Sequence, residues 1–467
     1  MSVAKGNICE VCIEGTVYGG KGIARIDGFV IFIPGGIPGD VVSCLITKKN
    51  KAYAEAKIIK FLEKSPFRID PPCPYFGFCG GCQWQNIKYD AQLHFKKNHV
   101  RDSLEHIGLL KNIRINDTIP SPNIFNYRNK MEFSFSDRRW LFPNEINISE
   151  VKNRDFALGL HVPGSFANVI DIEKGCLLQH NEGNTLLKLI REFALSSGLP
   201  PYGLKSREGF WRFLVLRRSF AANNWMINIV TKTDNKDSRT ALNELVKLIG
   251  NSGIPVSTIV NNITASKASI SAGEREFVLF GDGVLIDAIG EFSFRISANS
   301  FFQTNTLGAE ILYTITEHFA DLSGIETIID LYSGTGSIPL FLSKKAKEVI
   351  GIEQVESAVM DAWRNCNDNN IKNCSFLLGD TLKVLPDITK KPEIMTIDPP
   401  RTGMHKDVVA QVLNLKPERI VYISCNPATL GRDLAMLSEK YTVIEVQPID
   451  MFPHTYHIET VCLLKKN

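Results

Sequence analysis

The chain has 467 residues, 44% of them hydrophobic and 22% charged, the proportions of a water-soluble globular protein. Lys and Arg number 53 against 50 Asp and Glu, a net charge of +3, which excludes polyanion binding by bulk charge and confines any nucleic-acid surface to local patches. The opening "MSVAKGNICEV" lacks the apolar core of a signal peptide, and no apolar run reaches the ~18 residues of a membrane span, so a cytoplasmic location without a membrane partner is expected.

Residues 7 to about 60 show short alternating runs broken by Gly-Gly, Asp-Gly and Pro-Gly-Gly turns, which predict a small β-barrel of the oligonucleotide-binding kind. Lys48, Lys49 and Lys51 cluster at one tip, suited either to a phosphate backbone or to a solvated turn. Cys9 and Cys12 lie three apart in a strand and face opposite sides, so they cannot share an ion and are assigned to strand packing. Residues 63–84 are rich in Pro, Gly and Cys. Leu93, Val100, Leu104 and Ile107 then give helical spacing over 85–117. Between 156 and 300, strand-like segments alternate with helices such as 182–197, and "FWRFLVLRRS" and "NWMINIVTK" predict neighbouring antiparallel strands.

From residue 326 the pattern becomes βαβα. "ETIIDLYSGTG", "KEVIGIE", "CSFLLGD", "EIMTIDPPR" and "RIVYISCNP" are strands, with helices such as "SIPLFLSKKA" and "ESAVMDAWRNCNDNN" between them. Such alternation means a parallel, Rossmann-like sheet with ligands outside its carboxyl ends. The final strand, "HIETVCLLKK", is expected to run antiparallel at one side.

The chemistry-bearing residues fall at those strand ends. Asp330 precedes Gly334 and Gly336, and Glu353 follows 19 residues after Gly334; a Gly loop with an acid about 20 residues on cradles a nucleoside and holds its ribose. Pro339 stands where a dinucleotide fingerprint has its third Gly, which favours S-adenosylmethionine over NAD. Asp380 and Asp398 end the next two strands, Asp398 within "DPPR", whose prolines stiffen a loop able to present the edge of a base. Cys425 sits before Asn426 and Pro427, an N-cap and first helical residue, where the helix N-terminus is expected to favour thiolate. Glu459 lies in an apolar strand, as a paired carboxylate or a base of raised pKa does. Thiol, base and methyl-sulfonium pocket together suit methylation of a pyrimidine at C5: sulfur adds to C6, C5 takes the methyl, and a base removes the C5 proton. An adenine-N6 methyltransferase of the same fold would not need Cys425.

A second constellation is "CPYFGFCGGC", with Cys73, Cys79 and Cys82 separated by five and then two residues, and Cys176 far along the chain. This spacing leaves zinc and an iron–sulfur cluster open. Arg128, Lys130, Arg138, Arg139, Trp140, Arg212, Arg217 and Arg218 are candidates for tracking an RNA backbone and stacking on bases.

The stretches "DLYSGTGSIPL", "IDPPRTG", "ISCNPATLGRDL", "ISANSFFQTN" and "HIETVCLL" resemble the RNA uracil-5-methyltransferase family over nearly the whole chain. The resemblance implies a class I methyltransferase domain (85–117 and 298–467), an N-terminal TRAM barrel (1–62) and a central α+β domain (63–84 and 118–297). It implies Cys425 as nucleophile and Glu459 as base, with Gln303, Tyr332, Ser337, Glu353, Asp380 and Asp398 at the S-adenosylmethionine site, and Phe302 beside Gln303. It also implies a [4Fe–4S] cluster on Cys73, Cys79, Cys82 and Cys176. The expected activity is methylation of a uridine at C5 in 23S ribosomal RNA by a monomer. Transfer RNA is the alternative substrate, and a non-enzymatic RNA chaperone is the reading from another class.

Overall fold

The computed structural model describes residues 3–148, 150–165, 167–266, 271 and 273–467; residues 1 and 2 of the expected barrel lie outside them. Ile8–Cys12, Val41–Lys49, Tyr53–Glu63, Phe29–Pro34, Lys21–Ile26 and Gly15–Thr16 pair in that order as one six-stranded sheet. Its first and last strands are joined by only two residues, so the sheet curls into a barrel around Ile31, Ile33, Val42 and Ala54. Cys9 is buried there, its Sγ 3.5 Å from that of Cys44 across the strand pair. Cys12 faces outward and is exposed, so only the first of the two packs as expected.

The helix expected over 85–117 is shorter: α1 spans Tyr89–His106. Leu109 and Asn112 take positive φ, and the chain then runs extended, with Ile115 bridged to Val446 and Ile119 to Ile449. The apolar residues beyond 107 thus serve a sheet edge, which spacing alone cannot distinguish from another helical turn.

The central sheet has seven strands in the order Arg275–Phe280, Val256–Ile263, Trp225–Thr231, Trp211–Arg218, Lys130–Ser136, Ala157–His161 and Val169–Asp171. Trp211–Arg218 and Trp225–Thr231 pair antiparallel as expected. The helix Asn181–Ser196 packs Leu186, Leu187 and Ile190 into the core of this sheet. The hairpin Val284–Ile289/Phe292–Ser297 buries Leu285, Ile289, Phe292 and Phe294 in one core with Ile328 and Val421 of the C-terminal sheet and Leu340 of the helix after its first strand.

That C-terminal sheet consists of β1 (Thr327–Leu331), β2 (Glu348–Glu353), β3 (Cys374–Leu378), β4 (Ile394–Ile397), β5 (Arg419–Ser424), β6 (Tyr441–Ile449) and β7 (Glu459–Lys466). Their order is β3-β2-β1-β4-β5-β7-β6. Strands β1 to β5 are parallel, and β7 runs antiparallel between β5 and β6. Contrary to expectation β7 is not at the side, because β6, absent from the sequence reading, forms the edge. Helices α2 (Thr306–Ala320), α3 (Ser337–Ser343), α4 (Glu356–Asp368), α5 (Lys406–Leu415) and α6 (Pro427–Leu437) cover the faces. Helix α1 crosses α6 so closely that a Cβ on Gly431 would stand 2.5 Å from the Ser103 carbonyl oxygen. Among the described residues no helix is long and apolar enough to cross a membrane.

Candidate active site

The carboxyl ends of β1, β2, β4 and β5 and the start of β7 place their residues on one rim. Asp330 is buried at the end of β1, its carboxylate accepting a bond from the Thr396 hydroxyl while its second oxygen has no hydrogen-bond partner among the described residues. Gly334 N–H donates to Glu353 Oε2 at 2.9 Å and Val355 N–H to Oε1 at 2.8 Å. Both glycines of the loop have positive φ, and a Cβ on Gly334 would meet nothing within 4 Å, which leaves open space above the loop. A carboxylate held by backbone amides beside an open turn fits a ribose.

Ser337 opens α3 and accepts a bond from the Tyr313 hydroxyl at 3.0 Å. Tyr332, at φ 65°, lies near Asp380. Asp380 does not end a strand as expected: β3 stops at Leu378, and Asp380 caps the next turn by accepting from Leu382 N–H at 2.8 Å. Phe302 is buried against Phe294. Gln303 precedes α2 and accepts from Asn129 Nδ2 through its carbonyl at 2.7 Å. Among the described residues, no hydrogen bond joins its side chain to the other candidates.

Cys425 is half-buried after β5. Asn426 accepts from Ala428 N–H at 3.1 Å and Pro427 begins α6, as the sequence predicts. The expected low thiol pKa is not found. Burial pushes Cys425 up to about 11, and Glu459 and Asp398 add to the shift, with Arg401 opposing them. The cap geometry was legible in the sequence, but the acids facing the thiol come from β4 and β7.

Those acids form a cluster. Burial raises Asp330 to about 7, helped by Glu353, and raises Asp398 to about 7, helped by Asp330. Glu459, buried at the start of β7, is raised well above the carboxylate range by burial and by Asp398. Burial is the larger cause at each of the three, and the neighbouring acid adds to it.

Four participants were not assigned from sequence. Arg401 of "DPPR" faces the thiol, and its Asp-Pro-Pro-Arg setting was a usable signal. Tyr313 on α2 senses Asp398, Asp330 and Glu459. The Tyr18 hydroxyl from the barrel donates to the Cys425 carbonyl at 3.0 Å, and Tyr456 packs on Tyr18 with ring centroids 5.3 Å apart. Nothing local in the sequence marks these last three.

Cys73, Cys79, Cys82 and Cys176 line one cavity in the central region. Among the described residues no three His, Cys, Asp or Glu side chains converge as ligands of a single metal ion. Burial pushes Cys79 and Cys82 up to about 12. Arg212 and Arg217 do not belong to an RNA surface: both are buried in the central sheet, Arg212 donating to the Thr264 carbonyl at 2.9 Å and Arg217 to that of Ser300. Arg139 is tied to Glu145 at 2.7 Å. Arg128, Lys130 and Arg218 remain half-buried.

The strand order, the Gly loop with its acid and the rim of carboxylates define a class I, S-adenosylmethionine-dependent methyltransferase. The profile of the tRNA (uracil-5-)-methyltransferase family matches residues 282–378 and 384–467, and that of the TRAM domain residues 3–59. An uncharacterised RNA methyltransferase of Chlorobaculum tepidum is 41% identical over 99% of this chain and 97% of its own. Another, from Caldanaerobacter subterraneus, is 39% identical over the whole of both chains. The solved structure of Pyrococcus abyssi tRNA (uracil-54, C5)-methyltransferase in complex with S-adenosyl-L-homocysteine is 27% identical, with a TM-score of 0.74 over 98% of this chain and 100% of that one. The chain belongs to the tRNA (uracil-5-)-methyltransferase family and is an RNA methyltransferase. The non-enzymatic alternative is set aside.

Proposed function

We propose that this enzyme methylates C5 of a specific uridine in 23S ribosomal RNA through a covalent bond between Cys425 and C6 of the base. The observation that carries the reading is the facing of one half-buried thiol, Cys425, by a buried carboxylate, Glu459, at the rim of the methyltransferase sheet. Sγ gives up its proton to solvent and bonds to C6, and the electrons of the C5–C6 double bond move to C5 and the C4 oxygen, so that C5 becomes an enolate carbon. S-adenosylmethionine, when bound, supplies the methyl group and a sulfonium charge opposite to the acid cluster. Glu459 then takes the C5 proton, the C5–C6 double bond re-forms, and Sγ leaves. Arg401 stands where it offsets the negative charge that sulfur and base bring together. Glu353, Tyr332, Ser337, Asp380, Asp398 and Gln303 are assigned to the cofactor, with Phe302 beside them.

RNA containing 5-fluorouridine tests this, because fluorine cannot be removed as a proton. With cofactor the wild type should form a methylated, denaturant-stable adduct and Cys425→Ala none. A wild type that forms no adduct, or an adduct through another side chain, refutes the reading. A second substrate reading, transfer RNA, is favoured by the Pyrococcus neighbour, which acts on tRNA and aligns with nearly the whole chain. Mapping 5-methyluridine in both RNA pools from a strain lacking the gene decides between them.

We further propose a [4Fe–4S] cluster on Cys73, Cys79, Cys82 and Cys176. Four thiols around one cavity supply the donor set of such a cluster. The residues would anchor the cluster, which supplies a rigid support for the RNA-facing loops. Anaerobically purified protein should be brown with about four irons per chain; colourless, zinc-containing protein overturns the assignment. The partition into a TRAM barrel, a central domain and a discontinuous methyltransferase domain, action as a monomer and a cytoplasmic setting complete the proposal.

A further inference from the structure

The barrel reaches into the active site itself. Its turn between Gly15–Thr16 and Lys21–Ile26 is wedged against α1 and the 452–458 loop. Thr16 Oγ1 lies 2.9 Å from His99 Nε2 on α1, in a buried contact. A Cβ on Gly20 would stand 3.2 Å from the Tyr456 ring, so the turn lies flush on that loop. Ile37 of the barrel shares a buried cluster with Trp84, Ile87 and Phe95. At the turn's tip the Tyr18 hydroxyl meets the Cys425 carbonyl at 3.0 Å. Burial pushes that phenol up to about 12, so it remains a donor at neutral pH.

We infer that Tyr18 is a positioning residue for the reaction: its hydrogen bond fixes the Cys425 peptide, and with it the direction of the thiol, once the barrel is docked. The Cys425 carbonyl precedes the N-cap of α6 and lies outside that helix's own bonding. Without Tyr18 that peptide is free to tilt, and its side chain tilts with it. The barrel then does two jobs, holding RNA and completing the geometry of a nucleophile in another domain. A residue in this role acts on the chemical step rather than on RNA affinity.

The inference rests on Cys425 as nucleophile, and the experiment separates the two. Full-length wild type and Tyr18→Phe are compared in single-turnover adduct formation with 5-fluorouridine RNA and S-adenosylmethionine. RNA and cofactor dissociation constants are measured beside the rates. Tyr18→Phe keeps the ring on Tyr456 and removes only the hydroxyl. The expected result is an adduct rate about fivefold to tenfold lower, from the loss of one hydrogen bond, with both dissociation constants within about twofold of wild type. Equal adduct rates overturn the role of Tyr18 while leaving Cys425 in place. Weaker RNA binding with an unchanged rate makes Tyr18 a plain RNA contact and likewise overturns it. Absence of adduct in the wild type removes Cys425, and this inference with it. Should Tyr18→Phe melt earlier than wild type, Thr16→Ser, which keeps the hydroxyl facing His99, serves as a packing control. A comparable rate loss there assigns the effect to barrel docking rather than to the phenol.

Discussion

Lys96→Met should cost this protein about 3–5 kcal/mol at pH 7, because it strands a buried carboxylate. Lys96 Nζ donates to Asp450 Oδ1 at 2.6 Å and to the Phe452 carbonyl at 3.1 Å, and both side chains of the pair are fully buried. The neighbouring Tyr89 hydroxyl and the Phe452 N–H, which donates to Oδ1 at 3.0 Å, are weak compensation for the lost ammonium. Urea unfolding followed by tryptophan fluorescence is a suitable assay, since Trp84, in the loop before α1, is buried against Phe95 of the helix that carries Lys96. Lys96→Met combined with Asp450→Leu should recover most of the loss. A deficit below about 1 kcal/mol at pH 7, or a double variant no more stable than Lys96→Met, refutes the reasoning.

Glu459→Gln should slow methylation of normal RNA by about a hundredfold or more while leaving adduct formation intact. Adduct on normal RNA should therefore accumulate on denaturing gels, and rapid turnover would remove Glu459 from the role of base. In ligand-free enzyme the Cys425 thiol, pushed up to about 11, should react with iodoacetamide at a rate rising about tenfold per pH unit between 7 and 10. A plateau near pH 7, read by mass spectrometry of the tryptic peptide, would mean a thiolate already formed. Gly431→Ala drives a Cβ to 2.5 Å from a backbone oxygen of α1 and should cost about 1–3 kcal/mol in the same urea assay.

The parts of the site that were legible in the sequence are those carried by one strand and the turn after it. Gly334 with Glu353, and Cys425 with its Asn426 cap, follow from local pattern, and the structure places them on one rim. What could not be read was how separate segments bear on each other. The thiol pKa rises where the cap predicts a fall, because the fold buries Cys425 and brings Glu459 and Asp398 to face it from other strands. Strand β6 escaped notice for a physical reason. A register shift between Val443 and Glu445 breaks its alternation, and Pro448 is tolerated only at an edge. Arg212 and Arg217 read as surface cations, yet the central fold buries them and their guanidinium groups donate to backbone carbonyls inside it. Charge in a sequence does not say which side of a sheet it will occupy.

The bond between Tyr18 and Cys425 spans 407 positions of chain. During synthesis the barrel, which has an apolar core of its own, emerges before the methyltransferase sheet, and its partner Cys425 follows far later. Glu459 and the strand that carries it come later still. A nascent chain can thus grip RNA long before it has a reactive centre, and methylation begins only after the final strand has slotted between its two neighbours.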